Sequence, residues 1–252
     1  DVLASPIGGG PAVLLGSDGR YIGNGAATVG EALFSVDTQT AAGQVRVWRL
    51  TDAAGTWSPT AWDTGFTWPN TARVDAIAFD GTRLIAGTNG TSPTFYAIDP
   101  TTPGAITTLG VNDSLGDVSG LAADSEWVYV AGSLGGAEGI YRLRNVDLGN
   151  PSAPVEILFE NGAVNMSNDQ AQLGLQPASA GGPAVLYFRG YGPPHTYAVV
   201  DPGGAAPRVI GPIDRRGDNN EDNLFAYDAT NTALILADDS TPSSERTFWQ
   251  VR

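Results

Sequence analysis

Short apolar runs alternate with glycine, proline, aspartate and asparagine along the whole chain. No window of about ten or more residues keeps the 3.6-residue apolar period that an amphipathic helix requires. Apolar runs of roughly four to eight residues, bounded by such turn residues, are typical of β-strands. The pattern therefore predicts an all-β protein with almost no helix.

One short motif recurs along the chain, with an apolar residue, a small residue, any residue and usually aspartate. Its five copies are Leu15–Asp18, Ile77–Asp80, Leu121–Asp124, Leu173–Gln176 and Phe225–Asp228. Each copy precedes a second apolar strand and then a third strand with one aromatic residue in register. The five aromatic residues are Trp48, Tyr96, Tyr141, Tyr197 and Trp249. A fourth short strand follows in the complete copies, so the recurrence predicts five units of four strands.

This repeated pattern resembles the β-propeller superfamily, whose four-stranded antiparallel sheets, or blades, surround a central axis. The resemblance covers essentially the whole chain, but it points to no particular family, and the fold carries many unrelated functions. It implies a single five-bladed domain over residues 1–252. The expected blades are approximately 8–66, 73–110, 117–160, 169–212, and 222–252 together with 1–7.

The last unit reaches Arg252 directly after its third strand, and the N-terminal segment can supply a fourth strand. We expect Val2–Ser5 to pair with the strand that contains Trp249 and so to close the ring, which removes an open sheet edge. Small residues recur on the innermost strands, at Gly16, Ala78, Ala122, Gly174 and Ala226. They predict a narrow axis, which places any binding at its mouth.

The charge balance limits the classes of partner. The chain has 27 acidic residues, 13 basic residues that are all arginine, no cysteine and a net charge of -14. Nucleic acid is excluded, because binding it requires clustered cations that neutralise phosphates. No apolar stretch approaches the ~20 residues of a membrane span. Cations and neutral polar molecules remain as partners, although acidity also serves solubility.

Aspartate and asparagine are dense in the connections from the fourth strand of one unit to the first strand of the next. In propellers that this chain resembles, these connections meet at one mouth of the axis, where ligands bind. The candidate ligand-binding residues are Asp75, Asp117, Asp169, Asp222, Asn223 and His195. Calcium prefers such oxygen ligands, and its candidate ligands are Asp117, Asp169, Asp218 and Asp222. The alternative is that these residues only cap turns through their own side chains.

Catalytic signatures are weak. The single histidine, His195, lies in a predicted turn, and no Gly-x-Ser-x-Gly sequence is present. Asp75, Asp117 and Asp222 could supply the paired carboxylates of a glycoside hydrolase, but the sequence does not give their separation.

The sequence leaves enzymatic activity open and favours a non-enzymatic binding or interaction scaffold. We expect an exported bacterial protein, secreted, periplasmic or at the cell surface, that is monomeric and binds a small polar ligand, a carbohydrate or a protein. The alternative is a hydrolase or lyase that acts on carbohydrates or lactones through carboxylates at the mouth, with or without calcium. A third reading is a structural module of a larger surface protein.

Overall fold

The computed structural model shows an all-β chain. It describes residues 2–4, 13–16, 22–29, 32–37, 44–53, 56–67, 74–102, 105–162, 166, 171–190, 196–214, 225–228, 233–238 and 247–251. Among them, one short 3-10 helix, Asn145–Asp147, interrupts the strands, and no helix is long and apolar enough to span a membrane.

Four antiparallel sheets of four strands follow one another along the chain, and in each sheet the strands pair in chain order. The first contains β3 (Ile22–Val29), β4 (Ala32–Asp37), β5 (Gln44–Ala53) and β6 (Thr56–Thr67). The second contains β7 (Val74–Phe79), β8 (Leu84–Thr88), β9 (Thr94–Ile98) and β10 (Ile106–Val111). The third contains β11 (Leu115–Ala123), β12 (Trp127–Leu134), β13 (Ala137–Arg144) and β14 (Glu156–Glu160). The fourth contains β15 (Gln172–Gln176), β16 (Val185–Arg189), β17 (Thr196–Val200) and β18 (Arg208–Asp214).

Two smaller sheets complete the described strands. One has three strands, β19 (Phe225–Asp228), β20 (Ala233–Asp238) and β21 (Thr247–Val251). The other pairs β1 (Val2–Ala4) with β2 (Val13–Gly16).

The first strands of successive sheets pack side by side: β3 contacts β7, β7 contacts β11, β11 contacts β15, and β15 contacts β19. This is the arrangement expected for the innermost strands of a propeller, because each blade starts next to the axis. The small residues predicted for this position are buried where their side chains are described, at Ala78 and Ala122.

The hydrophobic core lies between neighbouring sheets. One cluster joins the first two sheets through Phe34, Ile77 and Tyr96. Corresponding clusters lie between the second and third sheets and between the third and fourth. Sheets therefore stabilise one another face to face, and burial of each large side chain contributes about 2–3 kcal/mol.

Three of the five recurring aromatic residues have described side chains, and all three take part in this packing. Tyr96, Tyr141 and Tyr197 are all buried. Tyr197 stacks on Phe188 with ring centroids 5.4 Å apart, and Phe159 of the third sheet lies 5.2 Å from Tyr197. These rings fill the gap between two diverging sheets.

The innermost strand of the first sheet was assigned wrongly. The motif at Leu15–Asp18 overlaps β2, which pairs with β1, whereas the innermost strand is β3. In β3, Ala27 pairs with Phe34 and takes the place that Ala78 has in the second sheet. Val29 occupies the position at which the repeated motif has aspartate, so the motif search missed this strand.

The predicted ring closure is not confirmed. The described part of β1 pairs with β2, and the sheet that contains Trp249 has three strands. The count of five blades and the predicted blade boundaries stay predictions.

Candidate functional site

The predicted mouth is the end of the sheets at which the innermost strands begin. Leu115 begins β11 and pairs with Leu134, the last residue of β12. Val74 begins β7 and pairs with Thr88 at the end of β8. The connections between sheets therefore share this end with the turns that join the second and third strands.

Most of the predicted site residues cannot be compared with the structure. Asp169, Asp218, Asp222, Asn223 and His195 lie outside the described residues. Asp75 is placed by its backbone in β7, and Asp117, whose side chain is described, lies in β11. These two strands pack against each other. The shared ligand site and the calcium site stay predictions.

Asp117 ties two sheets together. Its carboxylate accepts a hydrogen bond of 3.0 Å from the backbone N–H of Gly90, in the turn between β8 and β9. Gly90 has a φ of +110°, a conformation that other residues rarely adopt. The backbone around Asp117 is bulged, and its carbonyl oxygen lies so close to Gly132 that a Cβ there would stand 1.8 Å away. Asp117 thus fixes the neighbouring turn.

Asn112 shapes the connection between the second and third sheets. Its side-chain oxygen accepts hydrogen bonds from the backbone N–H groups of Ser114, at 3.0 Å, and Leu115, at 3.1 Å. Its own backbone N–H donates to the carbonyl of Pro93. Asn112 is buried, whereas the next residue, Asp113, is exposed. The turn-capping interpretation therefore holds for Asn112 and leaves Asp113 facing solvent.

The connection from the third to the fourth sheet is fixed at Met166. Its backbone N–H donates to the Glu138 carboxylate at 2.9 Å, and its carbonyl accepts a short hydrogen bond from the Ser119 hydroxyl. Met166 and Ser119 are fully buried. The sequence analysis missed these three residues, because none lies in a repeated motif.

Tyr141 is a neutral hydrogen-bond donor on the third sheet. Its hydroxyl donates to the Ala137 carbonyl at 2.6 Å and lies 3.2 Å from the Glu160 carboxylate. Burial and the adjacent Glu160 carboxylate raise the pKa of Tyr141 well above its ordinary value. The phenol therefore stays protonated at neutral pH.

The opposite end of the sheets carries a second polar network. Asp80 accepts hydrogen bonds from the backbone N–H groups of Thr82 and Arg83, both at 2.8 Å, and so closes the turn between β7 and β8. Asn145, in the 3-10 helix that follows β13, donates to Asp80 at 2.9 Å and accepts from Arg83 at 2.8 Å. Burial pushes the pKa of Asp80 upward, but these hydrogen bonds outweigh it and hold the pKa below its ordinary value.

Asp124 repeats this role one sheet further along. It accepts from the N–H groups of Glu126 and Trp127, both at 2.8 Å, and from the Tyr129 hydroxyl at 3.0 Å. The aspartate of the repeated motif is therefore a turn-closing residue in both sheets. The recurrence of this aspartate in the sequence indicated a repeated structural role. The sequence did not indicate that Asp80 would bind Asn145, which lies 65 residues away.

Arg142 joins the third and fourth sheets at the same end. It binds Glu156 at 2.6 Å and donates to the carbonyls of Pro202 and Gly204. Its guanidinium lies 4.4 Å from the ring centre of Trp127. This distance is typical of a cation–π contact. The planar guanidinium of arginine can stack on an aromatic ring while its N–H groups donate to several acceptors, which suits this position.

The described part of the chain holds no group of three or more His, Cys, Asp or Glu residues arranged to bind a metal ion. At the mouth, the side chains of Asn112, Asp117 and Glu138 bind backbone groups of the turns and connections, whereas Asp113 faces solvent. These hydrogen bonds hold the loops of the mouth in position.

Comparisons with known proteins give the fold and no family. A search of protein-family models and a search of curated proteins both found no match. Among solved structures, a sialidase from Trypanosoma rangeli is similar over 92% of this chain and 45% of its own, with 11% identity and a TM-score of 0.55. TolB from Acinetobacter baumannii is similar over 87% of this chain and 48% of its own, with 14% identity and a TM-score of 0.49.

A structure of YCF48 bound to a D1 peptide is similar over 86% of this chain and 76% of its own, with 15% identity and a TM-score of 0.43. The chain thus spans about half the length of the sialidase and of TolB. At such low identity, the likeness to the sialidase concerns the fold alone. The succession of four-stranded antiparallel sheets packed through their first strands is the arrangement of a β-propeller fold.

Proposed function

We propose that the chain is a non-enzymatic binding scaffold, exported from a bacterium, whose ligand face is the mouth. The supporting observation is that side chains of one sheet hydrogen-bond to the mouth loops of its neighbours. Asp117 holds the Gly90 turn of the preceding sheet, and Glu138 holds Met166 in the following connection. Rigid loops on a packed core lower the ordering cost of binding.

The use of these carboxylates favours binding over catalysis. A glycoside hydrolase needs one carboxyl that donates a proton and a second, ionised carboxylate across a pocket. Asp117, one of the acids predicted for that role, accepts a backbone N–H from a neighbouring turn. A carboxylate engaged in this way acts as a structural acceptor.

The exposed Asp113 and the overall negative charge favour a ligand that is cationic or rich in hydroxyl groups. Calcium at the mouth is part of this proposal, through Asp117, Asp169, Asp218 and Asp222. A cation that binds only the folded state raises the melting temperature. Melting curves in millimolar calcium chloride and in chelator test this part directly. Equal melting temperatures contradict calcium binding.

Titration calorimetry with calcium chloride and with neutral mono- and disaccharides tests the binding role. We expect saturable binding of at least one probe. Asp113→Arg, which inverts an exposed charge at the mouth, should weaken it at least about tenfold. The control Asp147→Arg changes an acid outside the mouth and should leave affinity unchanged. Turnover of chromogenic glycosides or lactones above the buffer rate, or binding insensitive to Asp113→Arg, contradicts the proposal.

A further inference from the structure

Three asparagines of the chain are followed directly by glycine, at Asn24–Gly25, Asn89–Gly90 and Asn161–Gly162. An asparagine in this position is prone to lose its side-chain amide spontaneously, because glycine has no side chain to hinder ring closure and lets the backbone turn. Asn24–Gly25 lies within β3, whereas the other two pairs lie outside the strands. These two pairs therefore give a comparison within one chain.

Both of these pairs lie at the mouth. Asn89–Gly90 follows Thr88, the residue that ends β8 there. Asn161 follows Glu160, the last residue of β14, which pairs with Gly139 near the start of β13. The start of β13 pairs with the end of β12, which is the mouth end of the third sheet. Loss of either amide therefore adds a negative charge to the mouth.

The backbone N–H of Gly90 is held by the next sheet. The Asp117 carboxylate accepts this N–H at 3.0 Å, and both Asn89 and Gly90 are half-buried. Ring closure requires the glycine nitrogen to lose its proton and to approach the asparagine side chain. A hydrogen bond to a carboxylate opposes both steps, because the negative charge stabilises the protonated nitrogen and fixes the peptide. Asn89 is therefore protected.

The surroundings of Asn161–Gly162 are open. Both residues are exposed, and a Cβ on Gly162 would meet no atom within 4 Å. The pair begins the connection from the third to the fourth sheet, directly after a strand has ended. The peptide has room for the rotation that ring closure requires.

We propose that Asn161 is a self-modification site, at which the chain converts its own asparagine to aspartate and isoaspartate, whereas Asp117 protects Asn89 from the same reaction. The deprotonated nitrogen of Gly162 attacks the side-chain carbonyl carbon Cγ of Asn161. The new N–Cγ bond replaces the bond from Cγ to Nδ2, and the amide leaves as ammonia with the proton that the Gly162 nitrogen lost.

Water then opens the cyclic imide at one of its two carbonyl carbons. Breaking the bond between nitrogen and Cγ gives aspartate. Breaking the bond between nitrogen and the backbone carbonyl carbon gives isoaspartate, in which the chain runs through the former side chain. One water is consumed, one ammonia is released and nothing is oxidised. The reaction needs no ligand, so it occurs whether or not the mouth binds one.

Peptide mapping by mass spectrometry, after incubation of the folded protein in warm, mildly alkaline buffer, tests this proposal. Asn161 should convert at least about tenfold faster than Asn89. In concentrated guanidinium chloride the two rates should agree within about threefold, because the unfolded chain holds neither glycine nitrogen. Gly162→Ala should slow conversion of Asn161 at least about tenfold, since a side chain there hinders ring closure. Equal rates in the folded protein, or an unchanged rate in Gly162→Ala, contradict the self-modification site.

Removal of the Asp117 carboxylate tests the protection of Asn89. Asp117→Ala should speed conversion of Asn89 at least about threefold and leave the rate at Asn161 unchanged. The matched control Asp99→Ala removes a carboxylate that accepts the N–H of Thr101 at the opposite end of the second sheet, and it should change neither rate. Circular dichroism checks that each variant folds, and Asp117→Asn, which keeps the shape and removes the charge, replaces Asp117→Ala if that variant does not. An unchanged rate at Asn89 in the folded Asp117 variant contradicts the protection.

Discussion

Replacing Asn145 by alanine removes a polar link that joins the second and third sheets. The Asn145 side chain accepts from Arg83 at 2.8 Å, donates to Asp80 at 2.9 Å and lies 3.2 Å from the carbonyl of Asp124. Asn145 and Asp80 are both about 95% buried, so the groups left behind are poorly hydrated. The loss of stability in this variant therefore measures how much free energy is lost when buried polar groups have no hydrogen-bond partner.

The expected loss of stability can be estimated from the hydrogen bonds that Asn145 makes. A hydrogen bond to a charged group contributes about 1.5–3 kcal/mol, and a neutral one about 1 kcal/mol. Arg83 is 33% exposed and can recover a bond to water, so its share is reduced. We expect Asn145→Ala to lower the free energy of unfolding by about 3 kcal/mol. For a domain of this size, that corresponds to a fall in melting temperature of roughly 6–12 °C.

Equilibrium unfolding in urea, followed by tryptophan fluorescence, measures this loss. The matched control is Asn150→Ala in the same connection, where an exposed asparagine accepts a single hydrogen bond of 3.0 Å from Ser152. We expect that variant to cost less than about 1 kcal/mol. If both variants cost the same, or if Asn145→Ala costs less than about 1 kcal/mol, the network does not hold the sheets together as described.

Two further predictions concern acid sensitivity and backbone packing. Because the folded pKa of Asp80 lies below its ordinary value of 3.8, its contribution to stability is present above that pH and is lost as the pH falls through the lower folded value. Asp80→Asn should flatten this acid limb of the stability curve, and an unchanged limb refutes the assignment. Gly132→Ala places a Cβ 1.8 Å from the Asp117 carbonyl and should cost more than about 2 kcal/mol. Gly162→Ala, whose Cβ meets nothing within 4 Å, should change stability by less than about 0.5 kcal/mol, and equal costs refute the close approach.

The strand pattern could be predicted from the sequence because alternation of apolar residues and turn residues is local. The repeated aspartate also carried structural information, since Asp80 and Asp124 both close hairpins. The prediction of the innermost strand was wrong in the first sheet, because the repeated motif does not mark that strand there. Val29 ends β3 without an aspartate, and Leu15–Asp18 matches the motif without being the innermost strand.

The polar links between sheets could not be predicted, because they join residues far apart in the sequence. Asp117 was predicted as a ligand residue, yet its carboxylate is engaged by the N–H of Gly90 in the preceding sheet. Asp117 and Gly90 become neighbours only when two sheets pack. Local residue type shows that a carboxylate is present at the mouth, and the tertiary register determines what it binds.

Backbone amide chemical shifts, recorded during titration with calcium chloride and with neutral saccharides, test the mouth as the binding face most directly. We predict saturable shifts that cluster at Gly90, Asp113 and Asp117, at one end of the sheets. The amides of Thr82 and Asn145, at the opposite end, should not move. Saturable shifts confined to that opposite end, or none for any probe, would contradict the proposed binding face.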